Sequence, residues 1–260
     1  MGIVNITPDS FSDGGLYLDR HKAVDHALKL IDAGADMLDL GAESTRPGSL
    51  PVPAELQIKR LLPVLREIRR QSNIPISVDT ASASVMQQVL AEGADLINDI
   101  TALADEGAAR LVAAAGAACC LMHMQGSPQI MQNNPSYVDV VDEVDLFLQH
   151  RQSWAIQNGI APASICLDPG FGFGKSLEHN MNLLGRIKRW TKVAPVLVGI
   201  SRKSMWDQLL KGRSLEERLP ASLAAACWAA EQGVAIIRVH DVRATRDALT
   251  VWTQLRKETE

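Results

Sequence analysis

Ser164-Ile-Cys-Leu-Asp-Pro-Gly-Phe-Gly-Phe-Gly-Lys175 is the stretch that decides the fold. A short apolar run reaches Asp168, a proline and three alternating glycines follow, and Leu177–Trp190 then shows helical spacing. A nearly continuous apolar run bounded by turn residues is the pattern of a strand buried on both faces, as in a parallel sheet wrapped by helices. The same order of apolar run, polar end and helix recurs at Ile3–Thr7, Met37–Ala42, Pro75–Thr80, Leu96–Ile100, Ala118–Met124, Ala194–Ser201 and Ala235–Asp241. Asn5, Glu43, Asp79, Asn98, His123, Asp168, Lys203 and His240 stand at or beside those ends. Eight such units predict an α/β chain folded as a single-domain (β/α)8 TIM barrel, with its polar groups gathered at the rim where this architecture does its chemistry.

The intervening segments support that reading. Arg20–Ala33, Ala54–Arg70, Ser82–Glu92, Glu106–Ala115, Asp139–Asn158, Leu177–Trp190, Pro220–Gln232 and Arg243–Lys257 carry helical patterns. Several end at a glycine, such as Gly34 or Gly159, as helix C-termini prefer. Three connections exceed the usual two to six residues: Pro8–Asp19, Glu43–Pro53 and Gln125–Val138. On the rim of a barrel, loops of that length are often substrate lids. No linker divides residues 1–260, so one domain is expected.

Bulk properties exclude other classes. The 260 residues match the size of one such barrel, about 250. The net charge of −4 argues against a nucleic-acid partner. No apolar run approaches the roughly 20 residues needed to span a bilayer. No secretory signal opens the sequence, and Cys119, Cys120, Cys166 and Cys227 show no CxxC spacing, so a reduced, cytoplasmic protein is expected.

The polar ends have chemistry of their own. Asp168–Lys175 allows close backbone approach to a ligand, although a tight strand–helix turn would need the same glycines, and the lysine spacing is not that of a P-loop. In Gly199-Ile-Ser-Arg-Lys-Ser204 two adjacent cations suit an anion or, alternatively, a solvated turn. Arg238 and His240 share one face of strand 8, directed into the barrel mouth. There Arg238 needs either an anionic ligand or an internal carboxylate such as Asp168. Asp79, Asn98 and Asp168 together suit a flat heterocycle rich in N–H donors, since a carboxylate accepts two parallel N–H bonds. The structural alternative, helix capping, applies better to Thr80 or Ser82 than to Asp79. Asn5, Asp9 and Asp13 are hard oxygen ligands suited to Mg2+ shared with a phosphate, and Arg46 offers a further anion contact. His123 and His240 lack a third partner at metal-ligand spacing, and Trp206, Trp228 and Trp252 fall on helices as packing or subunit-contact residues.

Together these motifs resemble one family. Met1–Gly15, Glu43-Ser-Thr-Arg-Pro-Gly48, Ser77-Val-Asp-Thr80, Asn98-Asp-Ile100, Met122-His-Met-Gln-Gly126, Asp168–Lys175, Ser201-Arg-Lys-Ser204 and Arg238-Val-His-Asp241 match, in order, the signatures of the dihydropteroate synthases. The resemblance covers essentially the whole chain. It implies condensation of 4-aminobenzoate with the diphosphate ester of 6-hydroxymethyl-7,8-dihydropterin in folate biosynthesis, with Mg2+ as cofactor and sulfonamides as competitors. It implies pterin binding by Asp79, Asn98, Asp168, Lys203 and Arg238, and diphosphate binding by Asn5, Arg46, Arg238 and His240. It places Mg2+ on Asn5, and 4-aminobenzoate among Phe11, Thr45, Arg46, Pro47, Phe173, Lys203 and Ser204. Asp13, Lys203, Arg46 and Asn5 are the implied catalytic groups, and a homodimer through the C-terminal helices is the implied assembly.

The sequence departs from the family pattern in small ways. The segment before strand 1 is shorter than usual, Ala42 stands where a second glycine is frequent, and the residues after Asp79-Thr80 lack the commoner Lys and Pro. A corrinoid-directed methyltransferase barrel would share the pterin-reading residues but would not need Phe11, Asp13, Arg46, Pro47 or Lys203-Ser204. A noncatalytic paralogue would have lost Arg46, Asp13 or Lys203, and all three are present.

Overall fold

The computed structural model describes residues 1–7, 15–44 and 48–258, with side chains of 15–19 not described. Strands β1 (Gly2–Asn5), β2 (Leu38–Gly41), β3 (Ile76–Asp79), β4 (Leu96–Asp99), β5 (Ala118–Met122) and β6 (Ile165–Asp168) form one parallel sheet in chain order. β7 (Leu197–Val198) and β8 (Ile236–Ile237) pair with each other. Single bridges close the ring, Leu167 to Val196 between β6 and β7 and Gly2 to Val239 between β8 and β1. At the second seam Ile3 N donates to Val239 O (3.0 Å) and Val239 N to Met1 O (2.9 Å). The eight-stranded barrel is therefore present, with β7 and β8 much shorter than their apolar runs.

Helices α1 (Gly15–Asp32), α2 (Ala54–Gln71), α3 (Ala83–Ala91), α4 (Ala108–Ala115), α5 (Val140–Gln157), α6 (Leu177–Gly185), α7 (Lys188–Thr191), α8 (Ser204–Leu210), α9 (Leu219–Glu231) and α10 (Val242–Lys257) surround the strands. Helix α1 starts five residues before the periodic stretch read from the sequence (Arg20 against Gly15), which shortens the first loop. The segment expected as one helix from Leu177 to Trp190 is two, and α8 has no counterpart in the sequence reading.

Period-two alternation sorts the strand side chains. Leu38 and Leu40 of β2 face outward into the layer shared with Leu61, Leu65 and Ile68 of α2, all fully buried. Asp39 between them points inward. Low in the barrel interior, Leu96, Cys120, Cys166 and Leu197 form a separate apolar cluster, joined by Met1, Ala118 and Ile236. All four cysteines are free thiols. This floor leaves polar side chains to occupy only the upper interior and the mouth.

Candidate active site

Strand register assembles the first half of the site. Asn5, Gly41, Asp79 and Asn98 are successive partners across β1 to β4. Arg238 reaches in from β8 and donates from Nε to Asp39 (2.6 Å) and from Nη2 to Asp79 (3.1 Å). Its internal partners are thus Asp39 and Asp79, which replaces the salt bridge to Asp168 weighed from the sequence. Asp39 has no solvent exposure and also accepts from Ser77 Oγ (2.5 Å) and Asn98 Nδ2 (3.3 Å). Asn98 gives its amide nitrogen to Asp39, which leaves its side-chain carbonyl as an acceptor. The upper interior therefore offers acceptors, from Asp79, Asn98 and Asp168, around one guanidinium.

Burial dominates the electrostatics here. It raises Asp79 from 3.8 to about 7 against the pull of Arg238, with Asp39 and Asp99 adding repulsion. It raises Asp168 to about 6, opposed by the Gly170 N–H and by Lys203 and Lys175. Both carboxyls lack enough partners in the free protein, a state that a donor-rich ligand would relieve. Neither caps a helix. Thr80 Oγ1 instead accepts from Ser82 N (3.3 Å), and the Asp105 carboxylate accepts from Ala83 N (2.7 Å) at the start of α3.

The second half of the site is cationic. Lys203 immediately precedes α8, with Nζ 4.4 Å from the centre of the Phe173 ring. Burial, then Arg238, lowers the Lys203 ammonium to about 8. Its neighbour Arg202 is spoken for, since its Nε donates to Asp241 (2.7 Å) in a two-pronged pair. Of the two cations read from the sequence, Lys203 alone faces the mouth. His240 lies close by: its backbone N donates to Ser201 Oγ (3.2 Å), and that hydroxyl is 3.0 Å from Nδ1. The direction of that ring contact depends on the tautomer: with the hydroxyl as donor to Nδ1, the imidazole proton stands on Nε2. Burial, then Arg238 and Arg202, lowers His240 to about 4, so the ring is neutral. Ser204 opens α8 and is exposed.

Glu43 does not face a ligand. It accepts from Val52 N (3.0 Å) and Gln57 Nε2 (3.0 Å), and Thr80 Oγ1 donates to Gln57 Oε1 (3.0 Å), which fixes the base of the loop after β2. Phe11 and Asp13, with Asp9, and Thr45, Arg46 and Pro47 lie outside the described residues. Among the described residues, no three His, Cys, Asp or Glu side chains are grouped to hold a metal ion.

Comparison with known proteins decides what this arrangement belongs to. The family model described as "Pterin binding enzyme" matches residues 1–240. Dihydropteroate synthase of Escherichia coli strain K12 is 48% identical over 253 residues, covering 96% of this chain and 89% of the relative. The chain belongs to the dihydropteroate synthase family. Two solved structures of that family agree in fold. The Yersinia pestis synthase in complex with a sulfonamide drug superposes with a TM-score of 0.93 at 43% identity, covering 99% of this chain and 94% of the other. The Xanthomonas albilineans synthase with 4-aminobenzoic acid also gives 0.93, at 46% identity and coverage of 98% and 92%. Beside the residues given a ligand role from the sequence, the site contains Asp39, Ser201, His123 and Lys175 as bonded partners. Asp39 carried a signal in the sequence, a lone acid between two leucines in an apolar strand, but its inward direction depends on the register.

Proposed function

We propose that this dihydropteroate synthase family member joins 4-aminobenzoate to the methylene carbon of (7,8-dihydropterin-6-yl)methyl diphosphate, releasing diphosphate and 7,8-dihydropteroate, through the following division of labour. The observation that carries the reading is the acceptor set of half-buried Asp79 and buried Asn98 and Asp168 gathered at one mouth with Lys203, Arg238 and His240. The acceptors take the N–H-rich edge of the pterin, Lys203 its carbonyl side, and Arg238 lies along the ring. Asn5, Arg46, Arg238 and His240 hold the diphosphate, with His240 donating from Nε2. Phe173, Lys203 and Ser204, together with Phe11, Thr45, Arg46 and Pro47, frame the arylamine.

Mg2+ fits at Asn5. The Asn5 amide lies beside the Asp79 carboxylate across Gly41, where a Cβ would come 3.9 Å from both Asn5 Oδ1 and Asp79 Oδ2. A neutral amide oxygen beside a carboxylate, with the remaining positions filled by phosphate and water, suits this ion. Bound there, Mg2+ supplies neutralisation of the leaving diphosphate.

The chemistry divides into two steps. The carbon–oxygen bond breaks with its electron pair leaving on diphosphate, which Arg238, Arg46 and His240 hold. The methylene cation is shared with the electron-rich pterin, and Asp13 stabilises it by charge. The arylamine nitrogen then attacks, forming the carbon–nitrogen bond, and its proton passes to the departed diphosphate or to water. Positioning and electrostatics do the catalysis, without a covalent enzyme intermediate. Exposed Trp228, Val251 and Leu255 on α9 and α10 support a homodimer through those helices, and the absence of disulfides among the cysteines is consistent with a cytoplasmic setting.

The deciding experiment incubates the protein with the pterin diphosphate, Mg2+ and labelled 4-aminobenzoate. Labelled dihydropteroate is expected; none, with pterin binding intact, removes the reading. In the same assay Asp13→Ala should keep pterin affinity and lose turnover by about a hundredfold or more, the scale of a lost charge-stabilising group. Unchanged turnover would remove Asp13 from the mechanism.

A further inference from the structure

The glycine-bearing loop after β6 is held by an unusual amount of hydrogen bonding from outside itself. Tyr137 Oη donates to Gly174 O (2.8 Å), and Gln132 Nε2 donates to Gly172 O (2.5 Å). Both donors come from the long loop after β5. Lys175 Nζ donates to Phe173 O (3.0 Å), so three consecutive carbonyls of the loop have a side-chain donor. The same Nζ lies 2.9 Å from His123 Nδ1 and 3.3 Å from His123 O. Three acceptors match the three protons of an ammonium group. This requires a neutral His123 with its proton on Nε2, and burial does hold the ring near a pKa of about 3.

The two loops are also in backbone contact. Gly174 has φ +64°, and a Cβ there would come 2.6 Å from Gln125 O. At Gly170, φ +72°, a Cβ would collide with His123 O. His123 N donates to Asp168 O (3.0 Å), and the His123 ring packs edge-on against Phe147 with centroids 4.9 Å apart. The loop after β5 is thereby occupied in clamping its neighbour.

What the clamp holds is Phe173, whose ring meets the Lys203 ammonium. Lys175, buried to 3% exposure, spends its hydrogen bonds on a histidine and two carbonyls of the protein, so any charge it lends the site reaches it through Asp168. We propose that His123 and Lys175 are positioning residues: their buried bond pins the Gly170–Gly174 loop so that Phe173 and Lys203 keep the geometry of the arylamine pocket. This rests on the reading that Phe173 and Lys203 border the 4-aminobenzoate.

The test compares His123→Leu, which removes the acceptor, with His123→Asn, which keeps an acceptor oxygen near the Nδ1 position, and with Lys175→Met. Three quantities are read: calorimetric affinity for the pterin diphosphate, KM for 4-aminobenzoate, and hydrogen exchange of the 170–174 backbone. In His123→Leu and Lys175→Met the KM for 4-aminobenzoate should rise about tenfold, the scale of a small misplacement at a reacting site. Pterin affinity should stay within about twofold, exchange in the loop should accelerate, and His123→Asn should recover most of both losses. Unchanged exchange, or faster exchange with an unchanged KM, overturns the proposal. So does equal weakening of both substrates. If the unmodified protein makes no dihydropteroate, the functional reading itself falls, and the exchange comparison alone then judges whether His123 and Lys175 pin the loop.

Discussion

The long arc of the barrel, β1 to β6, supplies the acceptors of the site, and the short pair, β7 and β8, its donors. Asp39, Asp79, Asn98 and Asp168 belong to the arc, which has uninterrupted parallel ladders. Lys203, Arg238 and His240 follow or extend the pair, in which each strand is two residues long. The acceptors therefore sit on the part of the sheet best held by backbone bonds, and the donors on the part least held. Arg238 joins the two, reaching from beyond β8 to β2 and β3. Binding chemistry and barrel closure converge on that one guanidinium.

The sharpest way to break this arrangement is Asp39→Ala. It leaves Arg238 short of its fully buried partner, and loss of one member of a buried pair typically costs about 3–5 kcal/mol. Urea unfolding should show a loss of that order. The double change Asp39→Leu with Arg238→Met should restore most of the stability, since an apolar pair can replace a buried ionic one, yet fail to bind pterin. A double variant as unstable as the single would show that the ion pair itself closes the ring.

Acidity gives an effect of intermediate size. An acceptor carboxylate must be ionised, and burial holds Asp79 and Asp168 in the free protein at about 7 and about 6. Pterin affinity should fall by about tenfold per pH unit for each proton taken up as pH drops through those values. Their contributions to stability have the opposite sign. Both folded-state values are raised, so the stabilisation is complete below about 4 and is lost as pH rises through 6 and 7. Calorimetric titrations from pH 5 to 8 check the first slope; a flat profile would mean the ligand meets carboxyls already ionised.

The smallest expected effect is on the cationic side. Ser201→Ala removes the hydroxyl that holds both the His240 ring and its backbone N–H. It should raise KM for the pterin diphosphate about fivefold, the equivalent of one ordinary hydrogen bond at ~1 kcal/mol. No change in KM would detach His240 from the diphosphate.

How much of this was legible in the sequence follows the same division. Apolar runs with polar ends located all eight strands, because β1 to β7 are almost entirely buried and the signal there is dense, while half-buried β8 is marked by its polar end. Their lengths were overread at β7 and β8, where only two residues pair within each of Ala194–Ser201 and Ala235–Asp241. Asp79, Asn98, Asp168, Lys203 and Arg238 were visible as costly groups at strand ends, and they do converge. Partnerships were not visible. Asp39 lies 199 positions from Arg238 and Lys175 lies 52 from His123, so only the ring topology brings them together. The loop after β5 looked like a lid by its length alone, whereas Gln132 and Tyr137 commit it to the glycine loop.

The bond from Asp39 to Arg238 has one more consequence. A barrel is a hoop, and here the fastener of the hoop lies inside the substrate chamber. Random changes selected only for greater robustness will tend to spare or strengthen that fastener, whereas changes that free Arg238 for a different ligand will loosen the hoop. Altering what the chamber accepts therefore calls for a compensating repair at the β8–β1 seam, and Val239 and Met1, which carry its backbone bonds, are the places to make it.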